Sequence, residues 1–195
     1  IFNSLVVLDN EVNILAKYDK NKLVPFGEYL PFESLLSKFG LKKITQGYQS
    51  FSSSKERKVI KLHNLGFLPL ICYEVIYSGI IDKNNEDFDF IINISEDGWF
   101  GDSVGPHQHF SHSIFRSIEE GKNLIRSANN GISAHIDATG KVISKLKSTD
   151  RGFIEIRNIL KTKNTFFNSH GNKIFFYFLI FYISLIFFLK KKENK

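Results

Sequence analysis

The chain has 195 residues, 43% hydrophobic and 24% charged, which leaves room for one domain and an appendage and excludes disorder throughout. The net charge of +6 comes from lysines scattered along the chain and clustered only at the C-terminus. No stripe of basic and aromatic residues accompanies them, which argues against a nucleic-acid partner. The single cysteine excludes an intrachain disulfide and a Cys-rich metal site. Methionine is absent and the chain opens at Ile1 in a strand-like run, so further sequence is expected upstream.

Ser4–Leu8 and Val12–Tyr18 predict a hairpin turning at Asp9-Asn10. Tyr18–Glu28 (YDKNKLVPFGE) follows; Pro25 and Gly27 force irregular backbone there, a loop able to present Lys20 and Glu28 from a rigid platform. Taken alone, it reads more readily as a solvated lysine in a surface turn. Residues 40–58 are polar, rich in Ser and Lys, and predict an exposed loop. Leu62–Tyr73 is expected as a strand despite Pro69. It ends in Ile71-Cys72-Tyr73-Glu74, placing the cysteine where strand gives way to loop. α/β enzymes carry nucleophiles at that point, although a lone Cys also serves as inert packing.

Phe88–Ser95 (FDFIINIS) predicts a strand buried on both faces. It runs into Glu96-Asp97-Gly98-Trp99-Phe100-Gly101, whose aromatic pair suits an apolar wall or lid. His107–Lys122 predicts a helix with Phe110, Ile114, Phe115 and Ile118 on its apolar face. His107, His109 and His112 have a spacing that invites a zinc reading. His107 follows Pro106 at the helix start and no second ligand cluster accompanies the three, so no metal is expected. Leu124–Ala128, Ile132–Asp137, Val142–Leu146 and Phe153–Ile156 predict further strands, with a turn at Ala138–Lys141.

Residues 174–189 (IFFYFLIFYISLIFFL) are apolar on every face. A helix over that run is about 24 Å long, against a hydrocarbon core of about 30 Å. Lys173 and Lys190 flank it and can snorkel to the headgroups, so a transmembrane helix is expected. The lysines of the 190–195 tail put that tail in the cytoplasm by the positive-inside rule, and the preceding domain on the opposite, periplasmic side of an inner membrane. The expected organisation is a catalytic domain over 1–165, a linker over 166–173, the span over 174–189 and a basic tail over 190–195.

Lys20–Pro31 (K-x-x-L-V-P-F-G-E-Y-x-P), Ile71–Glu74 (I-C-Y-E), Ser95–Gly101 (S-x-D-x-W-F-G), Gly105–Phe110 (G-P-x-Q-H-F) and Arg126–Ala134 (R-S-x-N-N-G-I-S-A) together resemble the nitrilase superfamily, and within it the apolipoprotein N-acyltransferase family. The resemblance runs from about Ser4 to Ile156. It implies the C-terminal portion of an α-β-β-α sandwich followed by one transmembrane helix. It implies Cys72 as nucleophile and Lys20 as the charge beside it. The Tyr73 N–H would complete the oxyanion hole, Glu28 would hold Lys20, and Glu74 would line the site.

The family's general-base Glu has no counterpart in Ile1–Lys17. Glu11 lies in the hairpin turn, so the base is expected upstream and this chain alone is expected to be catalytically incomplete. Glu96 stands where the family more often has Asn. The resemblance further implies a phospholipid acyl donor, an apolipoprotein acceptor and no cofactor. The alternative is an amidase of the same fold that hydrolyses a small amide or nitrile; a membrane-anchored binding domain is a third reading.

Overall fold

The structure is a computed structural model describing residues 1–40, 50–79, 87–159 and 165–193. The chain opens with an antiparallel hairpin, β1 (Ser4–Leu8) and β2 (Ile14–Asp19). A loop with one helical turn, α1 (Glu33–Leu36), follows. β3 (Ile60–Leu62) and β4 (Leu65–Ile71) form a second hairpin. Then come β5 (Phe90–Glu96), α2 (Gly105–Glu120), β6 (Asn123–Asn129), β7 (Ser133–Ile136) and β8 (Val142–Leu146). The chain ends in a short α3 (Phe166–His170) and a long α4 (Lys173–Glu193).

β3 to β8 form one six-stranded sheet in chain order. β4, β5 and β6 run parallel at its centre, and the outer pairings are antiparallel. Side chains alternate across it with period two. Leu68, Leu70, Ile91 and Leu124 face one side, where Phe110 and Ile114 of α2 close the core. Phe67, Ile71, Phe90, Ile92 and Ile125 face the other, where Leu5 and Tyr18 of the β1–β2 hairpin pack. Each fully buried apolar side chain stabilises this arrangement by roughly 1.5–3 kcal/mol. The layers are therefore helix, sheet and sheet, the order expected for the sandwich. The carboxyl ends of the three parallel strands share one edge, and the loops carrying Cys72, Asp97 and Asn130 leave from it.

Several expectations are corrected. Leu62–Tyr73 is not one strand: His63 takes a left-handed conformation (φ 52°), and the turn at His63-Asn64 folds β3 back on β4. Phe153–Ile156 is not a strand; Phe153 is 86% exposed, and the segment finds no pairing partner among the described residues beyond β8. On α2, Phe115 and Ile118 are exposed while His109, Ser113, Arg116, Ser117 and Glu120 are buried. The helix docks a largely polar stripe, because polar groups of β5, β6 and the loop after β5 await it. Residues 166–170, expected within a linker, form α3; Thr165 caps it by accepting from Asn168 N at 3.0 Å. In the 40–58 loop, 41–49 lie outside the described residues, and 50–58 form neither helix nor strand.

α4 extends beyond the apolar run at both ends. Lys173–Lys191 has a mean hydropathy of 1.9 and no part buried in the protein, so it is long and apolar enough to cross a membrane. At 1.5 Å per residue the 21-residue helix is about 32 Å long, matching the hydrocarbon thickness.

Candidate active site

The loop after β2 and the turn after β4 meet at the carboxyl edge of the sheet. Lys20 is 1% exposed. Its backbone is fixed on both sides: its N–H donates to Asn3 O at 2.8 Å and its carbonyl accepts from Ser54 N at 2.9 Å. Its ammonium lies 2.9 and 2.8 Å from the two oxygens of Glu28. Glu28 also accepts from Asn3 Nδ2 and the Val24 N–H, each at 2.9 Å. An ammonium this deep in the protein is sustained only by such a partner. The Val24–Glu28 turn brings Glu28 back over Lys20, with Glu28 N–H donating to Val24 O at 2.8 Å.

Cys72 is a free, half-buried thiol. Its φ is 52°, in the left-handed region that a non-glycine residue occupies at a cost of about 1–3 kcal/mol. The chain passes there from β4 into a 3₁₀ turn over Cys72–Ile76, which contains Tyr73 and Glu74. Glu74 sits fully buried behind this elbow. One oxygen accepts from Ile71 N–H at 2.8 Å. The other accepts from Tyr18 Oη at 2.8 Å and from the Asn21 and Lys22 N–H groups at 2.9 and 3.0 Å. One carboxylate thus ties the residue before Cys72 to the two residues after Lys20. Burial, reinforced by the Glu74 charge, pushes the Tyr18 phenol well above its ordinary pKa, so it remains a donor to that carboxylate.

A second polar cluster lies on the α2 side of the sheet, and sequence reasoning missed it. Asn93, Asp97, His109 and Arg126 are each at most 2% exposed. Arg126 Nη2 contacts the two Asp97 oxygens at 2.7 and 3.0 Å. Arg126 Nη1 donates to Asn93 Oδ1, and Nε donates to Ile132 O at 3.2 Å. Burial pushes the Asp97 carboxyl up, but the hydrogen bond to His109 and the Arg126 charge outweigh it and hold the group at about 2. A Cβ on Gly131 would fall 2.7 Å from Asp97 Cβ, so only glycine there lets Asp97 approach. The local signal for this cluster is Asn93 inside the apolar run of β5 and Arg126 after Leu124-Ile125 in β6.

Of the three histidines considered for zinc, His109 is turned onto Asp97, His107 is exposed and His112 is half-buried. Among the described residues no three His, Cys, Asp or Glu side chains form a ligand group. Glu11 is exposed at the hairpin turn, away from Lys20. Glu96 accepts from Gly98 N–H and from the Asn129 and Asn130 side chains, tying the loop after β5 to the loop after β6. Trp99 is 64% exposed in that loop.

The family model of carbon-nitrogen hydrolases matches residues 1–158. This chain belongs to that family. It is 44% identical over 155 residues to an apolipoprotein N-acyltransferase of Rhizobium leguminosarum bv. trifolii, covering 79% of this chain and 29% of that protein. It is 41% identical over 196 residues to the apolipoprotein N-acyltransferase of Rickettsia prowazekii, covering 96% and 39%. The chain therefore spans about a third of the length of the curated relatives it matches. A solved carbon-nitrogen hydrolase superfamily protein of Xanthomonas campestris superposes with a TM-score of 0.52 at 16% identity, over 87% of this chain and 60% of that one, and shares the fold.

Proposed function

We propose that this carbon-nitrogen hydrolase chain is the catalytic portion of a membrane-anchored N-acyltransferase. It moves an acyl chain from a phospholipid to Cys72 as a thioester, then to the α-amino group of a diacylglyceryl-cysteine at an apolipoprotein N-terminus. The observation that carries the reading is the coupling of a buried Lys20–Glu28 pair, through Glu74, to a strained elbow bearing Cys72. The curated relatives, named apolipoprotein N-acyltransferases, support the acceptor class.

In this mechanism the Cys72 thiolate attacks the ester carbonyl of the phospholipid. Lys20 offsets the charge on the thiolate and on the developing oxyanion, and the Tyr73 N–H donates to that oxyanion. The lysophospholipid alcohol leaves with a proton. The acceptor amine then attacks the thioester and Cys72 is released as thiol. The proton carrier in this proposal is a general-base Glu upstream of Lys20. Thiol and ammonium supply the chemistry without a cofactor. Residues 1–165 form the catalytic domain in this proposal, 166–173 connect it to a span over 174–189, and 190–195 form a cytoplasmic tail. An anchored domain meets both lipid substrates at the bilayer surface.

The deciding experiment is mass spectrometry of the Cys72 peptide after incubating the full-length protein with phospholipid. A hydroxylamine-labile acyl adduct is expected on wild type and not on Cys72→Ser, with lipoprotein acylation lost in parallel. Full acylation by Cys72→Ser would overturn the covalent mechanism. A thioester that passes only to water would make the protein a hydrolase instead. For topology, a cysteine placed at Glu193 in a Cys72→Ser background should resist an impermeant thiol reagent in intact cells; labelling there would reverse the orientation.

A further inference from the structure

The left-handed elbow at Cys72 has to be held by something, because a non-glycine residue relaxes out of that conformation unless its surroundings over-determine it. Glu74 holds one side through the Ile71 N–H. On the other side, Asn93 Nδ2 donates to the carbonyls of Leu70 at 3.0 Å and of Cys72 itself at 3.3 Å. Asn93 sits level with Leu70 on β4 and with Arg126 on β6, in one row across the parallel strands.

The amide of Asn93 cannot swing freely. Its Oδ1 accepts from Arg126 Nη1, so its Nδ2 is committed to the elbow carbonyls. Arg126 is held by Asp97 and by Ile132 O. Asp97 Oδ1 accepts from Ser95 Oγ at 2.7 Å and contacts His109 Nδ1 at 2.9 Å. Asp97 is ionised and a carboxylate only accepts, so Nδ1 of His109 carries the proton. The His109 ring lies 5.8 Å from the Tyr73 ring, the residue after Cys72, and 5.5 Å from Phe100. Its Nε2 is buried and forms no hydrogen bond within the described residues.

We infer that Asn93, Arg126, Asp97 and His109 are positioning residues that fix the carbonyl of Cys72, and with it the aim of the thiol, from the α2 side of the sheet. The inference rests on the reading of Cys72 as nucleophile. None of the four has to touch substrate. A reacting group displaced by about 1 Å can lose roughly 10²-fold in rate, so a strut of this kind acts on turnover more than on substrate binding.

The test uses the full-length protein with phosphatidylethanolamine vesicles, following single-turnover acylation of Cys72 by mass spectrometry across lipid concentrations. His109→Asn keeps a side-chain N–H near the Nδ1 position, whereas His109→Gln moves it by a methylene. His109→Asn should acylate within about threefold of the wild-type maximal rate, and His109→Gln about tenfold below it with an unchanged half-saturating lipid concentration. Asn93→Leu, which removes the elbow contact at similar volume, should fall by about 10–100-fold in the same way. Thermal melts identify variants that are folded. Equal maximal rates for folded His109→Asn and His109→Gln, or a loss carried by half-saturation alone, would overturn the inference while leaving Cys72 as nucleophile. A wild-type protein that gains no adduct on Cys72 removes the nucleophile itself, and this inference with it.

Discussion

Two buried ionic clusters flank the same elbow, one on each face of the sheet, and they differ in how their cations are used. On the hairpin side Lys20 pairs with Glu28, a compact ammonium with three donors whose carboxylate partner is itself shared with Asn3 and Val24. On the α2 side Arg126 spreads its donors over Asp97, Asn93, Ser113 and the Ile132 carbonyl. A cation saturated by fixed partners is a strut. A cation with one carboxylate partner retains donor capacity for a charge that appears during reaction. Charge chemistry is therefore expected from the hairpin side, and geometry from the α2 side.

The largest effect expected from that contrast is on Lys20. Lys20→Ala should lower thioester formation at least about 10²–10³-fold, the cost of losing an oxyanion-stabilising donor. Lys20→Arg should not restore it, because a planar fork does not replace a compact ammonium at a packed site. Arg126→Lys keeps the charge and loses the fork, and should cost only about tenfold in the same acylation assay. A larger loss for Arg126→Lys than for Lys20→Ala would invert the assignment of the two clusters.

A smaller effect separates both clusters from the junction between α2 and α3. Burial pushes the Glu120 carboxyl up to about 7, only partly opposed by the Asn168 amide and the Arg116 charge. A carboxyl whose pKa is raised on folding binds more protons in the folded state. Its contribution is thus present below the unfolded value of 4.5 and is lost as pH rises toward 7. The loss is about 3 kcal/mol at most. Glu120→Gln should flatten this decline in denaturant titrations run between pH 4.5 and 8. An unchanged slope would show that Glu120 is solvated.

The smallest effect belongs to Asp97 and has the opposite sign. Its carboxyl is held down from 3.8 to about 2, so its contribution is present above pH 3.8 and lost as pH falls through that value toward 2. That is about 2 kcal/mol, visible as a steeper acid unfolding limb in wild type than in Asp97→Asn. Parallel limbs would show that the Arg126–Asp97 pair adds nothing to stability, as some buried pairs do not.

Local pattern was enough for the elements with strong periodicity or length. The β1–β2 hairpin, the buried strand β5, the extent of α2 and the apolar α4 are written in residue spacing and run length, although the face that α2 buries is not. Cys72 and Lys20 stood out through their neighbours: a strand end in one case, a Pro-Gly loop in the other.

What the sequence by itself determined is the strand–turn context of Cys72, the loop that carries Lys20 and Glu28, and the continuous apolar face of α4. Each depends on residues close together in the chain. The tertiary structure alone decided that Glu74 braces the elbow from behind, that α2 buries a polar stripe, and that Asn93, Asp97, His109 and Arg126 form one cluster. The cluster joins residues 12 to 33 positions apart, and the Glu74 brace joins residues 52 to 56 apart. A buried charge is tolerated only once its partner has arrived from another strand or helix, and no local pattern records that arrival.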